Sequence, residues 1–399
     1  MFFLLFVASL SAGILISNAG RFRDAYRSVC DLTELYFYKH DAVLESWLRE
    51  CRRRAGTLSV WASEGEILRG IQDLMSAMNV SHFTVYSPVE DRKLWKGESR
   101  DTGIRSRYVE DHLIVYRVLK GSAAERAGVR PGDEILSLPG TEQVTPWGAS
   151  HRAGVYEFRR AGKEIKIPIE PAEIIIDSSP SIEKVDRDTA LLAISSFRSE
   201  YFAEDTWRET AANLMKFTHV IVDVRENAGG NFVAMLRALS TFLCADQTVG
   251  AIVQPRKAGP VKEAFDDDLR DLHQIAELGR HHSMGLRTFS GYGCYRGKVT
   301  VLISAETASV AEIFAQSFFY RPGSRVWGQP SAGDVVLAVW YDLPILGAGY
   351  SISIPQAVYR TPDKKELEGL GVYPQRELYH QLELSLQGKD SWVVEAAQF

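Results

Sequence analysis

Apolar residues recur at helical spacing through residues 20–80, so this stretch is predicted to form helices. The clearest repeat places its apolar side chains on one face, at Ile67, Ile71, Leu74, Met75 and Met78. Asn79 follows this run, and we expect the helix to end there. Several such segments in succession predict a small N-terminal helical bundle over residues 20–88.

The pattern changes to that of strands between residues 89 and 172. Runs such as HLIVY (112–116) and EIKIPI (164–169) have the composition of strands, and they flank a short helix and tight turns. We therefore predict a separate β-rich domain over residues 89–172.

Strand and helix patterns alternate over residues 173–399. The predicted strands and helices are, in chain order, 190–194, 207–217, 219–224, 232–243, 299–303 and 309–320. Such alternation is typical of an α/β layer fold, so the fold class is predicted as multi-domain α/β. Residues 256–296 interrupt the alternation with three consecutive aspartates and a pair of histidines, and we predict a long excursion or lid there.

The first 19 residues have the pattern of a targeting signal. The stretch from Phe2 to Ser17 is nearly all apolar, and small residues at Ser17 and Ala19 fit cleavage by signal peptidase after Ala19. The alternative is an uncleaved membrane anchor, although the run is shorter than the ~20 apolar residues that cross a bilayer. Both interpretations place the rest of the chain outside the cytoplasm, and we predict a periplasmic or secreted protein.

Composition, charge and the absence of metal-ligand motifs argue against binding of nucleic acid, anionic membranes or metals. Of the 399 residues, 45% are hydrophobic and 24% are charged. The net charge of -5 argues against a binding surface for nucleic acid or for an anionic membrane. The sequence contains no H-E-x-x-H run or similar ligand spacing, so we predict neither a metal nor a cofactor.

The chain has four cysteines, which are Cys30, Cys51, Cys244 and Cys294. In an exported protein they can form disulfides in any of three pairings, among which the sequence cannot choose. Pairing neighbours along the sequence, which we take as the prediction, joins Cys30 to Cys51 and Cys244 to Cys294. Buried free thiols are the alternative that the sequence leaves equally open.

One segment of the β-rich domain resembles bacterial PDZ domains. It reads GSAAERAGVRPGDEIL over residues 121–136. Ser122 is suited to cap a short helix, Gly128 to end that helix in a left-handed conformation, and the following Pro-Gly pair to form a turn. The resemblance implies a domain that binds a peptide as an added strand and holds its terminal carboxylate on backbone N–H groups. We expect Gly103 and Ile104 to form that peptide-binding loop; the alternative is a packing module with a filled groove.

Two further segments place a strand, a polar turn and a helix in succession. The first is VIVDVRENAGGN (220–231), in which the N–H groups of Gly229 and Gly230 can face a developing oxyanion. The second is VLISAETASVAEIFA (301–315), in which Ser309 opens a helix whose positive end favours an oxyanion. Taken singly, the first is an ordinary strand-to-helix connection and Ser309 is an ordinary helix cap.

Together, the two segments resemble those of the carboxyl-terminal-processing, or tail-specific, serine peptidases. That family carries an Asp-x-Arg-x-Asn-x-Gly-Gly run, which is matched here by Asp223, Arg225, Asn227, Gly229 and Gly230. It also carries a Ser/Ala-rich run whose central serine, here Ser309, is the nucleophile and whose closing acid is Glu312. The resemblance covers residues 25–380, and it implies a PDZ domain before an α/β core of crotonase/ClpP-like fold over residues 173–399.

The catalytic base departs from that of most members of the family. Many members have a lysine in a Gly-x-x-x-x-Gly-Lys-Gly turn, but the turn here reads GQPSAGDV (328–335), with Asp334 at the lysine position. A branch that includes the tricorn protease core and the retinoid-binding interphotoreceptor proteins lacks this lysine, and its proteases use histidine as the base. The run SHFT (81–84) stands at the place of that histidine. The run EGLGVYPQ (368–375) resembles the segment with the branch's glutamate, apart from Gln375.

The resemblance implies a role for each of four side chains. Ser309 attacks the scissile carbonyl, and His82 accepts its proton and later gives it to the leaving amine. Ser81 and Glu368 form a relay that orients and polarises His82. Glu366 is the alternative to Glu368.

Two backbone N–H groups are expected to form the oxyanion hole. One belongs to Val310, and the other belongs to Gly229 or Gly230. Asp334 is a further alternative as an acidic partner of His82.

Three functions remain open at this point. The first is an endopeptidase that recognises protein or peptide substrates partly by their free C-termini, through the PDZ domain. The second is an inactive PDZ scaffold on a peptidase-like core, which the missing lysine favours. The third is a binder of a non-peptide ligand, by analogy with the retinoid-binding relatives. We expect the first, because packing alone does not require a serine, a histidine and a glutamate at these places.

Overall fold

The computed structural model describes residue 20, residues 22–59 and residues 62–399, and the predicted targeting signal over residues 1–19 lies outside them. Within this described part, no helix is both long enough and apolar enough to cross a membrane. The elements form an N-terminal group of helices, a five-stranded module and a large α/β core. The predicted domain boundaries stay predictions.

Three helices open the described chain: α1 (22–36), α2 (Ala42–Thr57) and α3 (Glu64–Ser76). Asp41 begins α2 by accepting hydrogen bonds from two N–H groups of its first turn. Ser63 and Glu66 form a capping box at the start of α3, which satisfies two N–H groups that have no partner within the helix. The helix predicted from the repeat that ends at Met78 is therefore α3.

These helices bury their apolar faces against strands from the far end of the chain. Strand β1 (Thr84–Tyr86) follows α3 and pairs antiparallel with β18 (Ser351–Arg360). The buried cluster of the helices also includes, from other parts of the chain, Val253, Val336, Leu343, Leu346, Ile352, Ile354 and Val358. The N-terminal helices thus share one core with a sheet of the C-terminal region, and they hold β1 in place beside that sheet.

That sheet is mixed and has the strand order β1-β18-β12-β14-β13, with β17 also pairing with β18. Its remaining elements are β12 (Thr248–Val253), β13 (Val261–Lys262), helix α9 (Asp271–Arg280), β14 (Ser283–Arg287) and β17 (Leu337–Asp342). The predicted excursion over 256–296 supplies two of these strands. Its residues Met284, Leu286 and Tyr292 lie in the main hydrophobic core. Of the two interpretations, an excursion fits the part from β14 onward, because this part is paired within the sheet and packed in the core.

The β-rich region forms a five-stranded antiparallel sheet in the order β3-β4-β5-β6-β7. Its elements are α4 (Pro88–Lys96), β2 (Glu98–Asp101), β3 (Ile104–Val109), β4 (His112–Val118), α5 (Ala123–Arg126), β5 (Glu134–Ser137), α6 (Pro146–His151), β6 (Gly154–Arg160), β7 (Lys163–Ile169) and β8 (Ala172–Ile175). The chain enters through β2 and leaves through β8, and these two strands pair with each other. A separate cluster around Tyr156 and Phe158 fills the interior, so this module has its own core.

The α/β core is built on a six-stranded sheet in the order β19-β16-β15-β11-β10-β9. Its elements are β9 (Ser181–Lys184), β10 (Thr189–Ala193), α7 (Glu204–Leu214), β11 (His219–Asp223), α8 (Phe232–Leu243), β15 (Lys298–Ile303), α10 (Val310–Ser317), β16 (Ser324–Gly328), β19 (Arg376–Glu377), α11 (Leu382–Leu386) and α12 (Ser391–Ala397). All neighbouring strands are parallel except β9 and β10. Because β11 and β15 are parallel neighbours, the loops that follow them meet at one edge of the sheet.

Both predicted disulfides are present, and no cysteine is left free among the described residues. Cys30–Cys51 joins α1 to α2, and Cys244–Cys294 joins the end of α8 to the segment before β15. The second bond therefore ties the segment between α8 and β15 to the main core.

Replacing both Cys244 and Cys294 by serine is expected to cost about 4 kcal/mol of stability, because their bond closes a loop with a sequence separation of 50. The matched change at Cys30 and Cys51, with a separation of 21, is expected to cost about 3 kcal/mol. Guanidinium denaturation followed by tryptophan fluorescence measures both losses. Equal midpoints for the two double variants and the parent would contradict this order.

Candidate active site

Ser309 lies at the junction of β15 and α10, where its backbone has a positive φ of 59°. A non-glycine residue with this backbone is strained, and such strain persists only where neighbouring contacts enforce it. The N–H of Ser309 donates to the carbonyl oxygen of Asp334 at 2.9 Å and to Oε2 of Glu312 at 3.0 Å. These contacts fix the residue that the sequence predicts as the nucleophile.

Glu312, one turn into α10, holds the loop beside Ser309. Its side chain is fully buried and accepts hydrogen bonds from the Ser331 hydroxyl (2.6 Å) and from the N–H groups of Gly333 and Asp334 (2.9 Å each). Burial raises the pKa of Glu312 to about 7, although its hydrogen-bond donors act to lower the pKa. This carboxyl therefore changes its charge near neutral pH, directly beside Ser309.

The free energy of unfolding is expected to fall as the pH rises from 4.5 to 7, by about 3 kcal/mol from Glu312 alone. The native protein holds this proton more tightly than the unfolded chain does. The contribution is therefore fully present below pH 4.5 and is lost as the pH rises through 7. Denaturant titrations at pH 5 and pH 8 measure it.

Glu312→Gln should flatten this pH dependence, because glutamine does not titrate. Glu366→Gln, which removes an exposed carboxylate paired with Arg360, is the matched control and should keep the parent's pH dependence. A Glu312→Gln protein with the parent's slope would show that another group is responsible.

The glycine turn after β11 lies against Ser309. A Cβ atom on Gly229 would come within 3.0 Å of Ser309 Oγ, and Gly229 and Gly230 both have positive φ angles. The N–H of Gly229 donates to Oδ1 of Asn227 at 2.8 Å. Among the described residues, the N–H groups of Gly230 and Val310 have no such acceptor. Of the two glycines predicted for the oxyanion hole, Gly230 is therefore the one whose amide is free.

The remaining residues of the Asp-x-Arg-x-Asn motif hold this turn in place. Arg225 is buried and pairs with Asp223 at 2.6 Å and with Asp390 at 2.8 Å. Glu226 pairs with Arg117 of β4, so the five-stranded module contacts the same turn. The charged residues of the motif thus hold the glycine turn in place, and the N–H of Gly230 within this turn stays free of acceptors among the described residues.

His82 lies between α3 and β1, with a positive φ of 53°. The residue is partly buried, and its Nε2 is buried without a hydrogen-bond partner among the described residues. Burial lowers the pKa of His82 below the ordinary value of 6.5, while the nearby carboxylates of Asp334 and Glu368 act in the opposite direction. A histidine with this pKa is neutral at pH 7 and has a lone pair with which to accept a proton.

No hydrogen bond joins His82 to Ser309 Oγ within the described part of the chain. The nearest ring to His82 is that of Trp340 on β17, whose centroid lies 6.1 Å away. His82 and Ser309 nevertheless share a neighbour, because Asp334 accepts the N–H of Ser309 and also affects the pKa of His82. Contacts between a base and its nucleophile are commonly long in the absence of substrate.

Ser81 and Glu368 are bonded to each other twice. The N–H of Ser81 donates to Oε1 of Glu368, and its hydroxyl donates to Oε2, both at 2.9 Å. The N–H groups of Val335 and Val336 donate to the same Oε2 at 2.8 Å. Glu368 thus accepts four hydrogen bonds, two from Ser81, which precedes His82 in the sequence, and two from the segment at Val335 and Val336.

The alternatives to Glu368 have different surroundings. Glu366 is half-exposed and pairs with Arg360 at 3.0 Å, so it takes no part in this network. Asp334 lies close enough to His82 to affect its pKa, and its backbone groups bond to Ser309 and Glu312. Within the described residues, no group of three or more His, Cys, Asp or Glu side chains could hold a metal ion.

Sequence reasoning missed three neighbours of the site. Trp340 lies beside His82, and its indole N–H is also buried without a partner in the described chain. The N–H groups of Val335 and Val336 fix Glu368. These contacts join positions more than 100 residues apart or use backbone atoms, so no local pattern signals them.

The predicted peptide-binding residues lie between β2 and β3 of the five-stranded module. The N–H of Gly103 donates to Oδ1 of Asp101 at 2.6 Å, and the N–H of Ile104 donates to Oγ1 of Thr102 at 3.2 Å. Both amides that were expected to hold a terminal carboxylate are therefore engaged within the loop.

Residues 188–378 match the family model of peptidase family S41. The carboxyl-terminal-processing protease of Synechocystis sp. is 22% identical over 278 residues, which cover 66% of this chain and 58% of that protein. The carboxy-terminal processing protease CtpB of Bacillus subtilis is 29% identical over 329 residues, which cover 77% and 62%. The chain thus spans less than two thirds of the length of these relatives.

Similarity to solved structures confirms the predicted fold class. The crystal structure of the tricorn protease superposes with a TM-score of 0.53 at 15% identity, over 95% of this chain and 36% of that chain. At this level of identity the likeness concerns the fold, which is the multi-domain α/β fold expected from the alternation of strands and helices.

Proposed function

We propose that this chain is a serine endopeptidase with Ser309 as nucleophile and His82 as base, in keeping with the match of residues 188–378 to the model of peptidase family S41. The observation that carries the proposal is the double hydrogen bond between Ser81 and Glu368, which are 287 positions apart in the sequence. This pair anchors the segment that carries His82, and the Glu368 carboxylate lies close enough to act to raise the pKa of that histidine. In a serine–histidine–acid triad, the charge of the carboxylate likewise stabilises the imidazolium that forms.

The proposed reaction begins when Ser309 Oγ attacks the carbonyl carbon of the scissile peptide bond. Nε2 of His82 takes the hydroxyl proton as the Oγ–C bond forms, and it gives that proton to the leaving amine as the C–N bond breaks. A water molecule then attacks the carbonyl carbon of the ester, with one of its protons passing to His82. The bond between that carbon and Oγ breaks, His82 returns the proton to Ser309, and the product with the new carboxyl group is released. Closing the gap between His82 and Ser309 is the step that substrate binding must bring about.

The N–H groups of Gly230 and Val310 are proposed to stabilise the oxyanion. Both are free of acceptors among the described residues, and Val310 is the first residue of α10, where the helix dipole favours negative charge. Ser81 and Glu368 act as positioning residues for His82, because they do not themselves contact the reacting atoms in this scheme.

Proteins and peptides are the proposed substrates, and the PDZ-like module is proposed to read their C-termini. The ion pair between Arg117 of this module and Glu226 of the glycine turn gives the module a contact with the site. We also propose that the protein works outside the cytoplasm. The two disulfides support this location, since such bonds persist in oxidising compartments.

Two observations favour a second candidate, an inactive peptide-binding scaffold. No hydrogen bond joins His82 to Ser309 within the described residues, and Asp334 replaces the lysine of many family members. A core whose base never reaches its nucleophile would bind a peptide without cleaving it.

A fluorophosphonate probe distinguishes the two candidates without knowledge of the substrate. We expect the probe to form an adduct on Ser309, which mass spectrometry locates, and we expect Ser309→Ala to abolish it. Ser317→Ala, which removes another serine of the same helix α10, is the matched control and should label like the parent. An unlabelled parent protein, in the presence and absence of peptides with free C-termini, would favour the scaffold.

A further inference from the structure

Asp101 occupies the place in the PDZ-like module where a ligand's terminal carboxylate is expected. Its side chain is 2% exposed, and its Oδ1 accepts the N–H of Gly103 at 2.6 Å. The guanidinium of Arg105 donates to Oδ1 and Oδ2 of the same carboxylate at 3.0 and 3.1 Å. A backbone N–H together with an arginine guanidinium is a donor set that recognises carboxylates in proteins.

The conformation of this loop is fixed by its glycine. Gly103 has a φ of 89°, and a Cβ atom at this position would lie 2.0 Å from the Cβ of Ser122. No other residue fits there without displacing the start of α5. The amide that donates to Asp101 is therefore held in one orientation, and a ligand must compete with Asp101 for it.

The groove beside the loop is also closed by contacts within the module. Strand β3 is an edge strand, and its free side faces α6. The Ser150 hydroxyl donates to the carbonyl oxygen of Ile104 at 3.0 Å, and the N–H of Thr102 donates to that of Ser150 at 2.8 Å. At the other end of β3, the hydroxyl of Tyr108 donates to the carbonyl oxygen of Val144. A peptide strand added to β3 must open these bonds between β3 and the segment that carries α6.

Exposed aromatic side chains mark the rim of the same groove. Trp147 on α6 is 65% exposed and stacks on His151, and Tyr108 on β3 is 52% exposed. Large exposed aromatic rings next to an edge strand are suited to hold the apolar side chains of an added strand. The surface therefore combines a carboxylate site with an apolar rim, which fits the hydrophobic C-terminus of a peptide.

We propose that Asp101 is an internal substitute for the terminal carboxylate of a peptide ligand, and that the ligand binds by displacing it from Gly103 and Arg105. This inference rests on the peptide-binding role of the module in the proposed function. In the free module, Asp101 then occupies the carboxylate site. Only a peptide with both a terminal carboxylate and apolar terminal side chains competes successfully with Asp101 for this site.

The test measures the preference for a free carboxylate over an amide. Fluorescein-labelled nonapeptides of random sequence ending in Val, Leu or Ile are made as free acids and as C-terminal amides. Fluorescence anisotropy with the full chain in a Ser309→Ala background gives both affinities. Asp101→Ala is expected to raise the ratio of acid to amide affinity at least tenfold, because Gly103 and Arg105 become free.

Two further variants keep the test decisive if Asp101→Ala folds poorly. Asp101→Asn preserves the shape of the side chain and is expected to raise the same ratio several-fold, while Arg105→Gln is expected to abolish the preference for the free acid. An unchanged ratio in Asp101→Asn, or equal gains for acid and amide, would overturn the proposal. So would an Arg105→Gln protein that keeps the parent's preference.

Labelling of Ser309 by fluorophosphonate, in proteins that retain this serine, separates the inference from the proposed function. Labelling without any discrimination between acid and amide leaves the peptidase proposal standing and overturns the role of Asp101. Discrimination that depends on Asp101, without labelling, supports the role of Asp101 and contradicts the peptidase.

Discussion

His82→Ala is expected to lower kcat/KM for peptide hydrolysis by about 10⁴-fold, because a serine hydroxyl is a weak nucleophile until a base removes its proton. The rate of fluorophosphonate labelling should fall with it. His40→Ala, which removes an exposed histidine 3.9 Å from Glu45, is the matched control and should keep the parent's rates. Loss of less than tenfold in His82→Ala would assign the base to another group.

The pH dependence of kcat/KM gives an independent test of the same base. Burial lowers the pKa of His82 below 6.5, so the base stays neutral to a lower pH than an exposed histidine would. We expect the acid limb of the profile to have its midpoint below 6.5. Glu312 changes its charge near pH 7 beside Ser309, and the profile is therefore measured in Glu312→Gln as well. An acid limb at or above 6.5 that persists in Glu312→Gln would exclude His82.

Glu368→Ala is expected to reduce kcat by about 10³-fold or more and to destabilise the protein by about 3 kcal/mol or more. The change leaves four donors without an acceptor, among them the N–H and the hydroxyl of Ser81. Glu366→Ala is the matched control in the same segment. Its exposed pair with Arg360 is expected to contribute less than about 1 kcal/mol.

A positioning role for Glu368 is separable from a merely structural one in Glu368→Gln. The negative charge of Glu368 raises the pKa of His82, so its removal should shift the acid limb of kcat/KM to lower pH. KM should change less than kcat, since Glu368 does not contact substrate in the proposed scheme. A folded Glu368→Gln protein with the parent's acid limb and kcat would show that Glu368 only supports the loop.

Local patterns of apolar and polar residues predict several helices and strands of the α/β core correctly. The predicted helix over 232–243 is α8 with the same bounds, because Asn231 caps it and apolar residues cover nearly its whole surface. The predicted strands 219–224 and 299–303 correspond to β11 and β15. By contrast, the predicted helix 207–217 begins three residues earlier, at Glu204, where exposed acidic residues suit the first turn but carry no apolar signal.

The sequence was least informative where distant segments decide the outcome. The polar segment 256–296 resembles a lid in sequence, yet its strands are paired within the mixed sheet and its apolar residues complete the main core. The N-terminal helices, which were predicted as a small bundle, also share a core with apolar residues between positions 336 and 358. Composition and periodicity describe a segment alone and contain no information on which other segment covers it.

The sequence by itself determined the identity of the candidate residues, since short motifs mark Ser81, His82, Ser309 and Glu368 one by one. Only the tertiary structure decided which of them meet. It joins Ser81 to Glu368 by hydrogen bonds across 287 positions and leaves His82 without a hydrogen bond to Ser309 among the described residues. It also pairs the N–H of Gly229 with the side-chain oxygen of Asn227. The reason is physical: a motif fixes residue types and local backbone, whereas hydrogen bonds and burial depend on distances that the packing of separate sheets sets.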